Sequence, residues 1–191
     1  CPVPVVGLMT TGTELLQVHE PLAPGKIRDS NGPMIAAQLA RLGIPSRSYG
    51  FVRDDLDQAF ALVRRALRET DCVITTGGVS VGDYDYLPAI YERLGAKVLF
   101  NKVAMRPGSV TTVAVWEGKF LFGLSGNPSA CYVGFEIFAR PALLRMMGSQ
   151  KPYLPHTQAV LTEDFTKPNP FTRFVRAVYR HDGSRPTVAP A

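Results

Sequence analysis

Small and hydroxyl-bearing residues are concentrated in an eleven-residue loop, TTGGVSVGDYD, from Thr75 to Asp85. The loop follows the apolar run Cys72–Ile74 and contains three glycines and three Thr or Ser residues. Backbone N–H groups in such a loop can surround an oxyanion. Asp83 and Asp85 supply the carboxylate oxygens that a hard cation such as magnesium prefers. The pattern predicts an anion-binding loop with a candidate cation site at its end.

Two further loops have a similar character. In Thr10–Glu14 a glycine stands among threonines, so backbone amides can approach an anion, and Glu14 adds a carboxylate. Gly123–Pro128 precedes a predicted helix, whose first N–H groups and macrodipole favour a phosphate. A plain turn explains the first loop equally well, and an N-cap explains Asn127, so both structural alternatives stay open.

Two basic residues, Lys102 and Arg106, precede Pro107-Gly108 on a strand-to-loop stretch. Both can neutralise a phosphate or another oxyanion, although Lys102 is equally consistent with an ordinary surface lysine. The GxxxxGK[ST] motif is absent from the glycine-rich loop, and no GxGxxG follows Val3–Leu8. These absences disfavour ordinary nucleotide-binding domains.

Strand-like and helix-like segments alternate along the first 150 residues. Ile35, Leu39 and Leu42 have helical spacing that ends at Gly43, and another helix is expected after Asp55. Asn127-Pro128 predicts a helix start, and Pro141 is expected to kink or break that helix. The pattern predicts an α/β fold, a three-layer α/β/α sandwich with a mostly parallel sheet. In such sheets the loops at the carboxyl ends of the strands bind the ligand.

The character of the chain changes near Ser149. Residues 151–191 hold 6 of the 16 prolines and show extended runs without helical periodicity. We expect an α/β domain at 1–148 and the first part of a β domain at 149–191, too short for a core of its own. The chain opens with Cys1-Pro2 rather than Met, which predicts a segment of a longer protein.

Composition narrows the function classes. The net charge is +5 without a dense basic run, so a nucleic-acid surface is not favoured. No apolar run reaches the ~20 residues of a membrane span. The cysteines form no CxxC pair, and Cys72 and Cys131 lie in apolar patterns, so buried thiols and a cytoplasmic location are expected.

Six motifs occur together in a fixed order along the chain. They are TGTEL from Thr11, DSN from Asp29, RDD from Arg53, TTGGVSVGDYD from Thr75, MRPG from Met105 and GLSGNP from Gly123. Their order and spacing resemble the molybdopterin-binding domain of MoeA proteins and the gephyrin E domain, and the string GGVSVGDYD is the most specific element. The resemblance covers residues 4–148, and the tail resembles the start of the C-terminal domain of the same proteins.

The resemblance implies a transferase of molybdenum cofactor biosynthesis. Such an enzyme inserts molybdate into adenylylated molybdopterin while the adenylate is cleaved with the assistance of Mg²⁺. It also implies a homodimer of the full-length protein, whose site includes domains of the partner subunit, and contact with a molybdopterin adenylyltransferase. The segment by itself is therefore expected to hold only half of a site.

The resemblance also implies roles for individual residues. Asp54, Asp85, Lys102 and Arg106 are expected to be catalytic, with the two basic residues binding molybdate and phosphate. Glu14 and Asp85 are expected to hold Mg²⁺. The residues expected to bind molybdopterin are Thr11, Gly12, Thr76, Gly77, Gly78, Ser80, Ser125, Gly126 and Asn127.

The chain departs from the family pattern at two positions. Many relatives have lysine where this chain has Ser109, and proline where it has Ser125. Two other functions remain as alternatives. The first is a MogA-like molybdopterin adenylyltransferase, which would need no β segment after Ser149, and the second is a non-catalytic binding or scaffold module.

Overall fold

The computed structural model describes residues 1–52, 55–77, 86–166, 168–183 and 185–191. For Val52 and Tyr86 it describes the backbone and not the side chain. The strands are β1 (Val6–Thr11), β2 (Leu15–Leu16), β3 (Ile27–Arg28), β4 (Ser46–Val52), β5 (Cys72–Thr76), β6 (Lys97–Phe100), β7 (Met105–Arg106), β8 (Thr112–Trp116), β9 (Lys119–Leu124), β10 (Val160–Leu161), β11 (Thr172–Arg173), β12 (Ala177–Arg180) and β13 (Thr187–Pro190). The helices are α1 (Asn31–Arg41), α2 (Leu56–Glu69), α3 (Tyr86–Leu94), α4 (Pro128–Gly134) and α5 (Arg140–Met146), and a π-helical turn (Phe135–Ala139) joins the last two.

The central sheet has six strands in the order β4-β1-β5-β9-β8-β6. Strands β1, β4, β5 and β9 run parallel, and β8 runs antiparallel to both of its neighbours. The β8–β9 hairpin turns at Glu117 and Gly118, which have φ of 47° and 78°. Two successive positive φ values suit a tight hairpin, because their twist matches that of the strands. The predicted α/β fold with a mostly parallel sheet is therefore confirmed.

Helices cover both faces of this sheet. On one face α1 and the α4–α5 helix pack onto alternate strand residues, so that Ile35 and Phe135 share a core with Leu8 and Ile74. On the other face α2 and α3 pack onto the intervening residues, including Met9 and Val73. Successive side chains of a strand point to opposite faces, so each buried strand contributes to both cores. The result is the predicted three-layer sandwich.

The helix boundaries follow local chemistry. Asp55 caps α2 by accepting a hydrogen bond from the Gln58 backbone N–H at 2.9 Å, and Gly43 follows α1 with φ of 70°. Asn127 caps α4 by accepting from the Ala130 N–H at 3.2 Å. These helix ends agree with the sequence prediction.

The expected disturbance at Pro141 takes another form, because the helix continues through this residue to Met146. The π-helical turn Phe135–Ala139 stands just before the proline. Proline lacks an N–H and its ring would collide with the carbonyl four residues earlier, that of Ile137. A wider turn accommodates the missing N–H and the ring without ending the helix. Of the two expected effects, a break does not occur at Pro141, and a kink remains a prediction.

The residues after Ser149 form only short strands in the described part of the chain. Strands β10, β13 and β12 make a three-stranded sheet, and β11 pairs with β7 from the first 148 residues. Large apolar side chains such as Val178 and Tyr179 are about half exposed here. The boundary at residue 149 remains a prediction. No helix in the described ranges has the length and apolar character of a membrane span.

Candidate functional site

The three predicted loops follow three adjacent strands of the sheet. In the parallel register Thr10 of β1 lies beside Thr76 of β5, and Thr76 lies beside Leu124 of β9. The chain leaves the sheet within two residues of each of these positions, at Gly12, Gly77 and Ser125. The described parts of the loops therefore emerge side by side at the carboxyl edge, where α/β sheets bind ligands.

Gly77 lies at a close approach between the described parts of the first two loops. Its φ is 80°, and a Cβ atom there would be 2.4 Å from the carbonyl oxygen of Thr11. Its N–H donates to the Leu124 carbonyl at 3.0 Å, and the Thr11 hydroxyl donates to the Thr76 carbonyl at 3.2 Å. Only glycine combines this backbone conformation with this lack of space.

The third loop lies against the second. A Cβ atom on Gly126 would be 3.4 Å from the α-carbon of Gly77. The Asn127 N–H donates to the Ser125 hydroxyl at 3.3 Å, and the Asn127 side chain is engaged as the cap of α4. Gly126 and Asn127 are exposed, and Ser125 is half-buried. The predicted ligand residues of this loop are therefore accessible, and the alternative role of Asn127 as an N-cap is observed.

The first residues of α1 meet these loops from one face of the sheet. The Asn31 side-chain nitrogen donates to the Gly126 carbonyl at 2.9 Å. Asp29 Oδ1 accepts from the N–H groups of Asn31 and Gly32 at 3.0 and 3.1 Å. Sequence reasoning noted DSN as a motif but assigned none of these residues to the site. The available signal was the Asp-x-Asn pattern before a helix, typical of an N-terminal cap.

A cavity of about 300 Å³ lies between the first turn of α1 and the ends of β1 and β4. Asp29 lines it from just before α1, Gly32 from α1, Thr10 and Thr76 from β1 and β5, and Ser48 from β4. Thr76 is 3% exposed and its hydroxyl oxygen has no hydrogen-bond partner in the described part of the chain. Buried polar atoms are normally paired, so this hydroxyl is available to a ligand or to water.

The first of the two basic residues, Lys102, lies at the same edge of the sheet, farther along it. Strand β6 has the same direction as β9, so Lys102 leaves the sheet at this edge, about 10 Å along at ordinary strand spacing. Both Lys102 and Arg106 are exposed. The Arg106 guanidinium lies 5.5 Å from the ring centre of Phe171, so it contacts the tail.

The loop after Arg106 also packs on the first turn of α4. Gly108 has φ of 97°, and a Cβ atom on it would be 3.5 Å from the Ala130 carbonyl oxygen. The Thr111 hydroxyl donates to the Gly108 carbonyl at 2.8 Å. This packing brings the MRPG segment beside the helix that the third loop opens. The backbone N–H of Val103 donates to the Ser109 carbonyl at 2.8 Å. Ser109, where many relatives have lysine, therefore lies at the end of a hydrogen-bonded loop.

Glu14 is exposed. Its carboxylate lies against Gly12, because a Cβ atom on Gly12 would be 2.6 Å from Glu14 Oε2. Two exposed carboxylate oxygens suit a hard cation as part of its ligand set. Among the described residues, no group of three His, Cys, Asp or Glu forms a metal site. The other predicted ligand, Asp85, lies outside the described residues, as do Asp54, Gly78 and Ser80. The magnesium site therefore remains a prediction.

Two thiols lie in the cores behind this edge. Cys72 and Cys131 are completely buried. Burial raises the pKa of Cys72, and burial together with the nearby Asp29 carboxylate raises the pKa of Cys131 to about 12. Thiols that hold their protons so firmly are unreactive at neutral pH, which confirms the prediction of buried thiols.

Residues 7–145 match a protein-family model described as "Probable molybdopterin binding domain". The chain belongs to this family. The described residues of its motifs, including Thr11, Gly12, Thr76, Gly77 and Gly126, lie at the carboxyl edge of the sheet. The resemblance seen in the sequence is confirmed.

Relatives of this family member include longer proteins. It is 58% identical over 187 residues to the molybdopterin molybdenumtransferase of Bacillus subtilis, covering 98% of this chain and 44% of that protein. A molybdopterin biosynthesis MoeA protein from Pyrococcus horikoshii superposes with a TM-score of 0.77 at 28% identity, covering 98% of this chain and 45% of the other. The chain thus spans less than half the length of these relatives.

A shorter protein shares the fold alone. The tungsten cofactor synthesizing protein MoaB from Pyrococcus furiosus superposes with a TM-score of 0.59 at 20% identity. The match covers 78% of this chain and 99% of MoaB. A fifth of this family member therefore has no counterpart in MoaB, whereas the MoeA protein matches nearly all of it.

Proposed function

We propose that this chain is the molybdopterin-binding part of a molybdopterin molybdenumtransferase, which inserts molybdate into adenylylated molybdopterin. The observation that carries the proposal is the 58% identity to a molybdenumtransferase along 98% of the chain, tail included. A MogA-like adenylyltransferase is less well supported, because it would need no β segment after Ser149, whereas the identity to the molybdenumtransferase includes this segment.

The three adjacent loops would bind molybdopterin at the carboxyl edge. Thr11, Gly12, Thr76 and Gly77 supply hydroxyl and backbone groups from the first two loops, and Ser125, Gly126 and Asn127 supply them from the third. Gly78 and Ser80 would continue the second loop. The close approach at Gly77 supports this role, because the first and third loops both pack against a residue that has no side chain, which brings the ends of β1, β5 and β9 together.

Lys102 and Arg106 would hold the oxyanions. Both are exposed, Lys102 at the same edge and Arg106 in the MRPG segment that packs beside α4. Neither the Lys102 ammonium nor the Arg106 guanidinium forms an ion pair with a carboxylate in the described part of the chain. Their charges can bind molybdate and oppose the charge that develops as the phosphoanhydride of the adenylate is cleaved. The contact of Arg106 with Phe171 orients its guanidinium, since a cation is attracted to the face of an aromatic ring.

The acidic residues would hold Mg²⁺. Glu14 and Asp85 are the candidate ligands, and Asp54 is the third acidic residue proposed to act in the reaction. The fit is supported by the exposed Glu14 carboxylate beside Gly12, an oxygen donor of the kind that Mg²⁺ prefers. When bound, Mg²⁺ would supply charge neutralisation at the phosphoanhydride.

The proposal extends to the whole protein. We place it in the cytoplasm as a homodimer whose site combines this domain with domains of the partner subunit, and in contact with a molybdopterin adenylyltransferase. The location follows from the buried thiols, and the other features follow from the family resemblance. Sedimentation of the longer protein, with and without the adenylyltransferase, tests the last two.

A chimera tests the central proposal. The matching segment of the Bacillus subtilis enzyme is replaced by this chain, and the purified chimera receives adenylylated molybdopterin and molybdate. We expect molybdate-dependent release of AMP together with active molybdenum cofactor, measured by reconstitution of a cofactor-free molybdoenzyme. A Lys102→Ala/Arg106→Ala chimera serves as the matched control.

Two outcomes would contradict the proposal. A folded chimera that makes adenylylated molybdopterin from ATP and molybdopterin, without inserting molybdate, would support the adenylyltransferase instead. A folded chimera that binds molybdopterin but performs neither reaction would favour a binding or scaffold module. Circular dichroism and gel filtration establish folding in each case.

A further inference from the structure

The Asn31 side chain is buried although it is polar. It is 8% exposed and lies at the first residue of α1. Its nitrogen donates to the Gly126 carbonyl at 2.9 Å, and this hydrogen bond joins residues 95 positions apart. An amide that is removed from water is expected to be held by its hydrogen bonds. Asn31 therefore links α1 directly to the third ligand loop.

The Asn31 backbone is fixed independently of its side chain. Asp29 Oδ1 accepts from the N–H groups of Asn31 and Gly32. A Cβ atom on Gly32 would be 2.5 Å from Asp29 Oδ2, so the carboxylate packs directly against the first turn of the helix. The side-chain amide thus projects from an anchored point and cannot simply follow the loop.

Gly126 is held on its other side by the second loop. A Cβ atom on it would be 3.4 Å from the α-carbon of Gly77, and the N–H of Gly77 donates to the neighbouring Leu124 carbonyl. Gly126 therefore lies between two contacts, the hydrogen bond from Asn31 on one side and the backbone of Gly77 on the other.

Asn31 also retains unused hydrogen-bonding capacity. Its Oδ1 has no partner within the described ranges, and the same is true of the Thr76 hydroxyl. Both residues are at least nine-tenths buried and both adjoin the carboxyl edge. Two unpaired polar atoms in the same region indicate that it is built for polar contacts which the described residues do not themselves complete.

We propose that Asn31 is a positioning residue for the ligand: its amide holds the Ser125–Asn127 loop at the distance from Gly77 that molybdopterin requires. The inference rests on the proposed function, since it concerns the same ligand. It adds a residue outside the three loops and assigns it control over their spacing. The consequence is that ligand affinity depends on a hydrogen bond made by α1.

Two variants and one control test the proposal. Asn31→Asp keeps the shape and the acceptor but loses the donor to Gly126, and Asn31→Ala loses both. Ser30→Ala is the matched control, because Ser30 is the exposed neighbour and makes no side-chain cap. Dissociation constants for molybdopterin are measured anaerobically by pterin fluorescence, with the wild-type chain and each variant placed in the Bacillus subtilis chimera. Hydrogen–deuterium exchange is recorded without ligand.

We expect both Asn31 variants to bind molybdopterin about tenfold more weakly, as the loss of one hydrogen bond would predict, and Ser30→Ala to bind like wild type. Exchange should accelerate at residues 125–127 while α1 and the sheet keep their protection. This local change distinguishes a positioning role from a merely structural one.

Each other outcome overturns the proposal. Wild-type affinity in both Asn31 variants would overturn it and leave the proposed function intact. Faster exchange throughout α1, or failure of both variants to fold, would show that the residue serves stability instead. If the wild-type chain itself does not bind molybdopterin, the proposed binding role fails and this inference fails with it.

Discussion

Gly77 and Thr11 approach so closely that a Cβ atom on Gly77 would lie 2.4 Å from the Thr11 carbonyl oxygen. The two residues belong to different loops, and each loop follows its own strand of the parallel sheet. Their contact joins the first two candidate ligand loops through backbone atoms, which cannot move aside as a flexible side chain would. The edge is therefore sensitive to the smallest addition at position 77.

Gly77→Ala is expected to destabilise the fold by about 2–4 kcal/mol, because it combines positive-φ strain with a backbone collision. Gly43→Ala is the matched control, since Gly43 has a similar φ of 70° and nothing within 4 Å of its Cβ position. Urea denaturation of both variants separates the two effects. Equal losses would mean that the approach to Thr11 carries no cost.

Asp85→Ala is expected to abolish molybdate insertion by the chimera at any Mg²⁺ concentration, because a proposed carboxylate ligand is lost. Glu92→Ala, which removes an exposed carboxylate from α3, should leave the rate unchanged. The rate is followed as molybdate-dependent release of AMP across a magnesium titration. Wild-type rates in Asp85→Ala would remove Asp85 from the metal site.

Glu69 provides a prediction for pH dependence. Hydrogen bonds from Arg65 at 2.9 Å, Tyr49 at 2.9 Å and Arg47 at 3.0 Å hold the pKa of Glu69 at about 2, below its usual 4.5. Because the folded-state pKa is lowered, the stabilisation is complete above pH 4.5 and is lost as the pH falls toward 2.

Glu69→Gln should therefore melt at a lower temperature than wild type at pH 6, and the two curves should converge between pH 4.5 and about 2. Since Glu69 is on the surface, the difference should be modest and should shrink in high salt. Thermal unfolding monitored by circular dichroism across this pH range measures it. A difference that persists unchanged at pH 2 would exclude the ionised carboxylate as its source.

The three thiols should differ sharply in reactivity. Cys1 is exposed and Cys72 and Cys131 are buried, and burial raises the pKa of both buried thiols. A disulfide reagent at pH 8 should modify one thiol of the native chain and all three after denaturation. Cys1→Ser should remove the native reaction entirely. Rapid modification of a second thiol in the native chain would contradict the burial.

Local features of the fold were predictable because local chemistry determines them. The cap at Asp55, the Asn127-Pro128 helix start and the stop at Gly43 each depend on residues within one turn. The π-helical turn before Pro141 was not predicted. Whether a proline ends a helix or widens it depends on how the following turn packs, and Leu143 is completely buried in the core.

The candidate site was predictable only in part. The loops and their glycines were identified from residue types, and the family followed from their order. Asn31 was not assigned, because its role depends on a hydrogen bond to Gly126 that spans 95 positions. The contact of Arg106 with Phe171 was missed for the same reason, since β7 and β11 are brought together only by pairing between distant segments.

The amino-acid sequence by itself determined the fold class, the family and the loops that carry hydroxyls, glycines and charges. Apolar periodicity, caps and motifs act over a few residues, and each is readable along the chain. The tertiary structure decided the strand order β4-β1-β5-β9-β8-β6, and with it which loops are neighbours. Strand order depends on how both faces of the sheet are buried by helices from distant parts of the chain, and no local sequence pattern indicates it. Because of this order, Gly77 lies against Thr11 and Asn31 donates a hydrogen bond to Gly126.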